Sequence, residues 1–519
     1  MRHLSKSKIL AFRQCPKRLW LEIHQPELRD DSGAQTAFQI GNEVGEIARS
    51  IFDIDDKGTL IDIAALGFEE AFAQSAELLS KGEGPVFEAG VKAEGALAFS
   101  DVMLPAWNDG VLSWEMIEVK SSTSVKDYHY DDIALQGYVA EAAGIKLTSI
   151  SLAHLDNQFV YPGGGDYHGL FHREDFTDAT KSRRTEVAEW LTEAQSVAAL
   201  NEAPDICTGA QCHEPFTCPF WATCHGEEEA AEYPLASLPR LNVRKRAELE
   251  SQGITDVRDV PDEYLTSIQI WVRDLTRSGE TYFDADGAAA DLGGNEGPAL
   301  FLDFETAMFS IPIWKGTRPY QQIPFQYSLH RVDTDGSLTH EAFVDLSGND
   351  PSESLAGALI EHASEDLPVF VYNARFETCI LNELAHRFPE LQEALQSIVD
   401  RVVDLYPIAQ RRFYHRSQQG SWGLKSVLPA VCPDLSYEHL EGVADGGMAM
   451  EVFNEALAPE TAAERKAEIE QQLLDYCHLD TLALVRLREF FAARTQPDPS
   501  DFLAVKIDVS EDQIPNRKA

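Results

Sequence analysis

Residues 96–120 read ALAFSDVMLPAWNDGVLSWEMIEVK, a pattern that predicts two buried strands joined by a tight turn. The pair Asp109-Gly110 is a strong signal for a two-residue hairpin loop, because both central positions of such a turn need positive φ. If these two residues form the turn, Asn108 pairs with Val111. The sequence therefore predicts an antiparallel hairpin with a defined register.

This register brings acidic side chains together. Counting back along the ladder places Asp101 opposite Glu118, and cross-strand partners have Cβ atoms about 4.5–5.5 Å apart. Lys120 follows Glu118 by two residues and projects from the same face. Two such carboxylates can share a divalent cation, while the lysine orients or deprotonates a water. The alternative is an exposed hairpin with a Glu118–Lys120 ion pair, and Pro105 weakens the ladder because it cannot donate a hydrogen bond.

A second acidic set lies in the last part of the chain. Asp303 and Glu305 are two apart in a hydrophobic strand pattern and share one face. A hydrophobic strand that continues into a helix pattern delivers Glu377. Tyr476 and Asp480 are four apart and share one face of a helix. Each residue alone can be a solvated face or a cap, but together they are what a two-metal phosphodiester hydrolase needs.

Three of the eight cysteines are evenly spaced, with five residues between Cys212 and Cys218 and five between Cys218 and Cys224. Zinc modules usually use tighter Cys-x2–4-Cys spacing, which makes zinc the weaker interpretation. Four thiolates around an iron–sulfur cluster tolerate varied spacing. The cysteines predicted to be ordinary core residues are Cys379, Cys432 and Cys477.

Composition limits the function classes. The chain has 519 residues and a formal net charge of −43, and its length suggests about three domains. Phosphate contacts come from Lys and Arg, so this charge weakens a nucleic-acid interpretation. It does not exclude one, because net charge does not describe a single cleft. No run reaches the roughly 20 apolar residues of a membrane-spanning helix, and no signal peptide is recognisable, so we expect a cytoplasmic protein without membrane contact.

The fold class predicted from these patterns is α/β multidomain. The predicted parts are a first domain at 1–225, a linker with a small helical segment at 226–297, a domain of alternating strands and helices at 298–495, and a loose tail at 496–519. The helix–Gly–helix rhythm of the second part resembles a helix-hairpin-helix DNA-binding module. A plain helical spacer is an equal alternative.

The first acidic set resembles the Asp…Glu-x-Lys core of the PD-(D/E)XK nuclease superfamily. Asp101 matches the first position, and Glu118-Val119-Lys120 matches the second. The helix pattern around Gln136 is similar to the glutamine-bearing helix of the RecB-like branch, and Glu88 also fits. The resemblance implies a restriction-endonuclease-like fold in which Asp101 and Glu118 bind metal and Lys120 and Gln136 are catalytic.

One position departs from this resemblance. RecB-like nucleases often carry a metal-binding histidine on the first helix, where this chain has Gly45. Either the metal shell is smaller here, or Glu43 or Glu46 compensates.

The cysteine layout resembles the iron–sulfur nucleases of the AddB and CRISPR-associated RecB-like type. These proteins have one N-terminal cysteine and three more after the nuclease core. The resemblance implies a [4Fe-4S] cluster bound by Cys15, Cys212, Cys218 and Cys224, which ties the two ends of the domain together. Cys207 is then the spare cysteine.

The second acidic set resembles the DEDDy exonucleases of the ribonuclease H-like fold. Asp303 and Glu305 match the first motif, Asn373-x-x-Phe376-Glu377 the second, and Tyr476-x3-Asp480 the third. The resemblance implies four acids that bind Mg²⁺ or Mn²⁺ and a tyrosine, Tyr476, that orients the attacking water. The second motif normally ends in aspartate, whereas this chain has Glu377.

Taken together, the chain is identified as a member of a bacterial domain-of-unknown-function family, number 2779, that fuses an iron–sulfur RecB-like nuclease domain to a DEDDy-type exonuclease domain. This implies a metal-dependent nuclease that acts on DNA, with single-stranded ends as the favoured substrate. Two alternatives stay open. One is an RNA-processing exonuclease, and the other is a nucleic-acid-binding scaffold in which one or both nuclease sites have decayed.

Overall fold

The computed structural model describes residues 3–32, 34–226, 231–440 and 442–493. The predicted tail at 496–519 lies outside the described residues, and the predicted boundaries at 225 and 297 stay a prediction. The chain forms two compact units, each built from discontinuous segments. The first unit comprises Met1–Ala231, Asn242–Ile254 and Met308–Gln321, and the second comprises Glu232–Leu241, Thr255–Ala307 and Gln322–Ala519.

The first unit is built on a mixed sheet in the order β2-β3-β4-β5-β6-β7, with β1 pairing in parallel with the start of β4. Its strands are β1 Leu4–Ser5, β2 Thr59–Leu60, β3 Val86–Ala93, β4 Ala96–Asn108, β5 Val111–Lys120, β6 Leu147–Leu155 and β7 Phe171–Asp175. Its helices are α1 Lys6–Gln14, α2 Pro16–His24, α3 Ala34–Phe52, α4 Ile63–Leu66, α5 Phe68–Lys81, α6 Asp127–Ala142, α7 Thr177–Ser182, α8 Arg184–Ala198, α9 Trp221–His225 and α10 Val243–Ser251.

The predicted hairpin is confirmed as β4 and β5. Asp109 and Gly110 form the turn with φ of 50° and 77°, and the register runs without a shift from Asn108–Val111 to Val102–Ile117. Pro105 lies opposite Trp114 within this ladder, so it causes no bulge there. The turn chemistry and the period of two were enough to set the register, because both are local properties.

Helix α6 lies over this sheet. Residues on most sides of the helix are buried, including Leu135 and Val139, which belong to the main core of the unit. A helix that is buried nearly all round lies in the interior. The core therefore holds α6 in place over the strands, and with it the polar side chains that face the sheet.

The second unit is built on a mixed sheet in the order β11-β10-β9-β12-β13, in which β10 is antiparallel to both neighbours and β12 is parallel to both. Its strands are β8 Tyr282–Phe283, β9 Ala299–Ala307, β10 Ile323–Val332, β11 Leu338–Val344, β12 Val369–Val371, β13 Val402–Asp404 and β14 Phe413–Tyr414. Its helices are α11 Ser267–Ser278, α12 Ala285–Asp291, α13 Ser352–His362, α14 Ala374–Arg387, α15 Gln392–Val399, α16 Tyr406–Arg412, α17 Leu424–Val431, α18 Gly446–Leu457 and α19 Ala463–Ala492.

The last element is one long helix, α19, with 30 residues. Its second half is buried nearly continuously, and Gln326 on β10 donates to the carbonyl of Leu473 at 2.7 Å. Both units combine sheets with helices, which confirms the predicted α/β class. In the part of the chain that the structure describes, no helix is long and apolar enough to cross a membrane. The helix-hairpin-helix resemblance of the middle segment stays a prediction.

Candidate functional site

The end of β5 carries a dense network of charged side chains. Lys120 Nζ donates to Glu118 Oε1 and to Asp132 Oδ2, each at 2.6 Å. Gln136 Nε2 donates to Glu118 Oε2 at 2.5 Å and to Asp132 Oδ1 at 3.0 Å. The structure therefore brings three predicted site residues, Glu118, Lys120 and Gln136, into direct contact around a fourth residue, Asp132.

Two members of this network were missed from the sequence. Lys6 Nζ lies 2.9 Å from Glu118 Oε1 and 3.2 Å from Asp132 Oδ1. Asp132 precedes Gln136 by four residues, which places both on one helical face, so a sequence signal for Asp132 existed. Lys6 had no such signal, because only the pairing of β1 with β4 carries the N-terminus to this end of the sheet.

Asp101 and Glu88 complete the acidic side of the network. Asp101 Oδ2 accepts a hydrogen bond from the backbone of Val119 at 2.6 Å. Glu88 has a φ of 54°, an unfavourable conformation for a residue with a side chain, and such strain occurs often at functional sites. Burial, with Glu118 adding to it, raises the pKa of both Asp101 and Glu88.

The lysines compensate the buried acids. Burial by itself lowers the pKa of Lys120, because it disfavours the charged form. The negative charges of Asp132 and Glu118 outweigh this effect and raise the pKa well above the usual value. Burial likewise works to raise the pKa of Asp132, but Lys120 and Lys6 hold it below the usual value. Lys120 is therefore an ammonium in this arrangement, where it can donate hydrogen bonds but cannot accept a proton.

A cleft with room of about 300 Å³ opens beside this network. Asp101, Glu118 and Lys120 line it on the sheet side. On the side of α3, the lining residues are Gly41, Val44, Gly45, Ala48 and Arg49. Glu43 and Glu46 are exposed and are not among the residues that line the cleft, so both expectations for Gly45, a smaller metal shell or compensation by one of these glutamates, stay predictions. Most of the α3 residues that line the cleft are therefore small.

Five cysteines come together elsewhere in the first unit. One small cavity is lined by Cys15, Cys207, Cys212, Cys218 and Cys224, together with Lys17 and Arg18. Burial raises the pKa of the Cys218 and Cys224 thiols. A tetrahedral zinc site needs sulfurs about 3.8 Å apart, given Zn–S bonds of about 2.3 Å. Among the described residues, no group of three cysteines stands with the sets of ligand atoms that lie within 4.8 Å of one another.

The three cysteines predicted to be core residues do not behave alike. Cys432 and Cys477 are buried, as predicted, but Cys379 is exposed. Cys379 lies on α14, whose buried face carries Glu377, Ile380 and Leu381. The prediction for Cys379 was wrong because its apolar neighbours in sequence point to the other side of the helix.

In the second unit, three acids from two elements converge. One carboxylate oxygen from each of Asp303, Glu305 and Asp480 lies within 4.8 Å of the other two. Asp303 and Glu305 lie on β9, and Asp480 lies on α19. Burial, with like charges adding to it, raises the pKa of Asp303 and Glu305 well above the usual values. The charge of Lys425 lowers both pKa values, but less than burial and the like charges raise them, so a divalent cation would supply further compensation.

Glu377 lies in the first turn of α14. It is only 1% exposed, and its Oε2 has no hydrogen-bond partner. Burial, and then the charge of Asp303, raises its pKa to about 9. Asp404 anchors the start of this helix, because it accepts hydrogen bonds from the backbone of Asn373 at 3.0 Å and of Ala374 at 3.1 Å.

The polar side chains around Asp480 include two that the sequence did not reveal. Tyr437 donates to Asp480 Oδ1 at 2.5 Å. Lys425 Nζ lies 4.7 Å from the ring centre of Tyr476 and 5.1 Å from that of Tyr437. Burial, followed by the charge of Asp480, raises the pKa of Tyr476, so its hydroxyl keeps its proton and can act as a donor. Burial also raises the pKa of Asp480, to about 6.

The comparison with family models gives one match. Residues 300–423 match a family described as "Domain of unknown function (DUF2779)". This range contains Asp303, Glu305 and Glu377 but ends before Tyr476 and Asp480. The match supports the family predicted from the sequence. No curated protein matches the chain.

Proposed function

We propose that the chain is a metal-dependent nuclease that hydrolyses phosphodiester bonds of DNA. The observation that carries this proposal is the convergence of Asp303, Glu305 and Asp480 within 4.8 Å, with buried Glu377 interacting with Asp303. Acids with raised pKa values and oxygen donors at these distances suit a hard divalent cation such as Mg²⁺ or Mn²⁺. Nothing in ordinary packing accounts for four acids placed in this way.

In the second unit we assign the residues as follows. Asp303, Glu305, Glu377 and Asp480 would hold the cation or cations. Such a cation polarises a phosphoryl oxygen and lowers the pKa of a water at neutral pH. The protonated hydroxyl of Tyr476 orients the attacking water, and Tyr437 holds Asp480 in place through its hydrogen bond. The topology of the mixed sheet supports the ribonuclease H-like interpretation.

In the first unit, Asp101 and Glu118 would bind a divalent cation at the mouth of the cleft. Gln136 fixes the orientation of the Glu118 carboxylate. Lys120 is an ammonium paired with Glu118 and Asp132 when no cation is bound, so a cation that took its place at Glu118 would free it to stabilise negative charge on the phosphate. The hairpin and the cleft beside it support the PD-(D/E)XK interpretation.

The cavity lined by cysteines supports an iron–sulfur cluster. Cys15, Cys212, Cys218 and Cys224 would bind a [4Fe-4S] cluster, and Cys207, which is exposed, is the spare thiol. Cys15 lies between α1 and α2, and Cys224 lies on α9, so these ligands are about 200 residues apart in sequence. The cluster would therefore connect the two ends of the first domain, as a structural element. DNA as the partner and a cytoplasmic location belong to the same proposal.

The proposal is tested by nuclease assays of anaerobically purified protein on single- and double-stranded DNA and RNA, with Mg²⁺ and with Mn²⁺. We expect DNA cleavage with two separable components. Asp303→Asn should abolish one component, while Asp475→Asn, a change of an exposed acid on the same helix as Asp480, should not. Lys120→Ala should reduce the other by about 10²–10³-fold, while Glu115→Gln on the same strand should not.

Three results would contradict the proposal. The first is wild-type protein that cleaves no nucleic acid with either metal. The second is cleavage of RNA alone, which would favour the RNA-processing alternative. The third is full activity in both Asp303→Asn and Lys120→Ala, which would show that neither site acts on phosphodiesters.

A further inference from the structure

Three histidines meet on the face of the second unit's sheet that α19 covers. His330 on β10 and His340 on β11 are cross-strand partners, and His478 comes from α19. The ring centres are 4.5 Å apart for His330 and His340, 4.6 Å for His330 and His478, and 4.4 Å for His340 and His478. One ring nitrogen of each histidine lies within 4.8 Å of one nitrogen of each of the others.

Two buried hydroxyl groups, those of Ser328 and Thr481, determine which ring nitrogens of His330 and His340 could bind a metal ion. Thr481 Oγ1 lies 3.3 Å from the carbonyl oxygen of Cys477, to which it can donate, and Ser328 Oγ lies 2.7 Å from Thr481 Oγ1. If Ser328 donates to Thr481, both hydroxyls have used their protons and can only accept further bonds. His330 Nδ1 then donates to Thr481 at 2.7 Å, and His340 Nε2 donates to Ser328 at 2.8 Å.

With this arrangement of protons, the free lone pairs are on His330 Nε2 and His340 Nδ1. Metal-binding histidines are oriented in the same way, by a hydrogen bond from the second ring nitrogen to a fixed acceptor. Burial lowers the pKa of His330 to about 2 and that of His340 to about 4. Both rings are therefore neutral at neutral pH, the form in which imidazole binds metals.

We propose that His330, His340 and His478 form a binding site for Zn²⁺, separate from the carboxylate site of the same unit. Three imidazoles without a carboxylate ligand suit a transition metal and not Mg²⁺, whereas the neighbouring acids suit Mg²⁺ or Mn²⁺. Zinc–nitrogen bonds of about 2.0–2.1 Å need nitrogens about 3.3 Å apart, which small ring movements within the 4.8 Å limit can provide.

The zinc ion would link α19 to strands β10 and β11, at the edge of the sheet. Helix α19 carries His478 as well as Tyr476 and Asp480, and it is attached to β10 by the hydrogen bonds from Gln326 to Leu473 and between Ser328 and Thr481. Zinc bound to two strands and one helix would add a further attachment, and one that includes β11. The position of Tyr476 and Asp480 relative to β9 would then depend on zinc, although the site does not rest on the proposed nuclease function.

The first test is X-ray absorption at the zinc edge on full-length wild-type protein, prepared without oxygen and loaded with one equivalent of Zn²⁺ in excess Mg²⁺. We expect a ligand shell of nitrogen and oxygen atoms with histidine scattering. A shell dominated by sulfur would place the zinc in the cysteine cavity and would overturn the proposal, as would failure to retain zinc after dialysis.

The second test uses variants and Co²⁺ absorption in place of zinc. His340→Gln should lose the Co²⁺ bands, whereas His386→Gln, a change of an exposed histidine on α14, should keep them. Thr481→Val keeps all three ligands but removes the acceptor for His330, and it should weaken Co²⁺ binding about 10–100-fold. Unchanged Co²⁺ binding in both His340→Gln and Thr481→Val would overturn the proposal even if nuclease activity is present.

Discussion

The two carboxylate sites use the same residue types but differ in how far lysines compensate the charge of their acids. In the first unit, Lys6 and Lys120 contact Glu118 and Asp132, and these lysines hold the pKa of Asp132 below its usual value. In the second unit, burial raises the pKa of every acid of the cluster, as for Asp303. Glu118 and Asp132 of the first site are thus paired with its own lysines, although the pKa of Asp101 is still raised by burial, whereas the second site depends more fully on a bound cation or on protons.

This difference has a consequence for metal binding. A cation that enters the first site must displace an ammonium from Glu118, so its affinity is reduced by the lost ion pair. A cation that enters the second site relieves repulsion among acids whose pKa values stay raised in spite of the charge of Lys425. We therefore expect the second unit to bind Mg²⁺ at lower concentration than the first, and the following predictions test this comparison.

The largest effect is expected for Lys6→Met. Without a divalent cation, this change leaves Glu118 and Asp132 with Lys120 as their remaining lysine, and removal of one partner of a buried pair costs about 3–5 kcal/mol. We expect a loss near the lower end of this range in urea unfolding, and Mg²⁺ should recover part of it. Lys8→Met on the same helix is the control, and equal losses in the two variants would contradict the role of Lys6.

The next largest effect is expected for Glu377→Asp. The aspartate side chain is shorter by one methylene, about 1.5 Å, and a displacement of about 1 Å can cost 10²-fold in rate. Because Asp404 anchors the start of α14, the helix cannot easily move to compensate. We expect DNA cleavage by the second site to fall by about tenfold to 10²-fold in single-turnover assays. A higher cleavage rate in Glu377→Asp than in the wild type would mean that the glutamate holds the cation poorly.

A moderate effect is expected when the pH of metal-free protein is changed. The pKa of Glu377 is about 9 in the folded protein and 4.5 as an ordinary value, so the folded state binds more protons between these values. Stability should therefore fall as pH rises from about 4.5 to 9. Thermal unfolding in EDTA should show a decline of several degrees that Glu377→Gln reduces and Mg²⁺ reverses. Identical pH profiles for wild type and Glu377→Gln would contradict this assignment.

The smallest effect is expected for Asp404→Ala. Asp404 accepts hydrogen bonds from the backbone at the start of α14, and loss of such a cap costs about 0.5–2 kcal/mol. We expect this loss of stability together with a small decrease in activity, because Glu377 is held less firmly. Asp400→Ala, an exposed position at the end of α15, is the control for both measurements. A larger loss of activity than in Glu377→Asp would indicate a more direct role for Asp404.

Several structural features could be predicted because they depend on residues that are close together in the sequence. The β4–β5 register follows from Asp109-Gly110 and the alternation of the strands, and it places Asp101 and Glu118 near each other. The long helix α19 follows from its helical pattern, although one helix or two could not be distinguished. The exposed position of Cys379 was missed, since an apolar neighbourhood in sequence does not reveal which side of a helix a residue occupies.

The sequence by itself determined the local part of this protein: the hairpin, the pairs at i and i+2 or i+4, and hence most of the acidic residues of both sites. Only the tertiary structure decided which distant residues complete them. Lys6 reaches Glu118 across more than one hundred residues, Tyr437 reaches Asp480 across 43 residues, and His478 joins His330 and His340. The physical reason is that spacing along a strand or helix is set by backbone geometry, whereas these contacts depend on how separate elements pack.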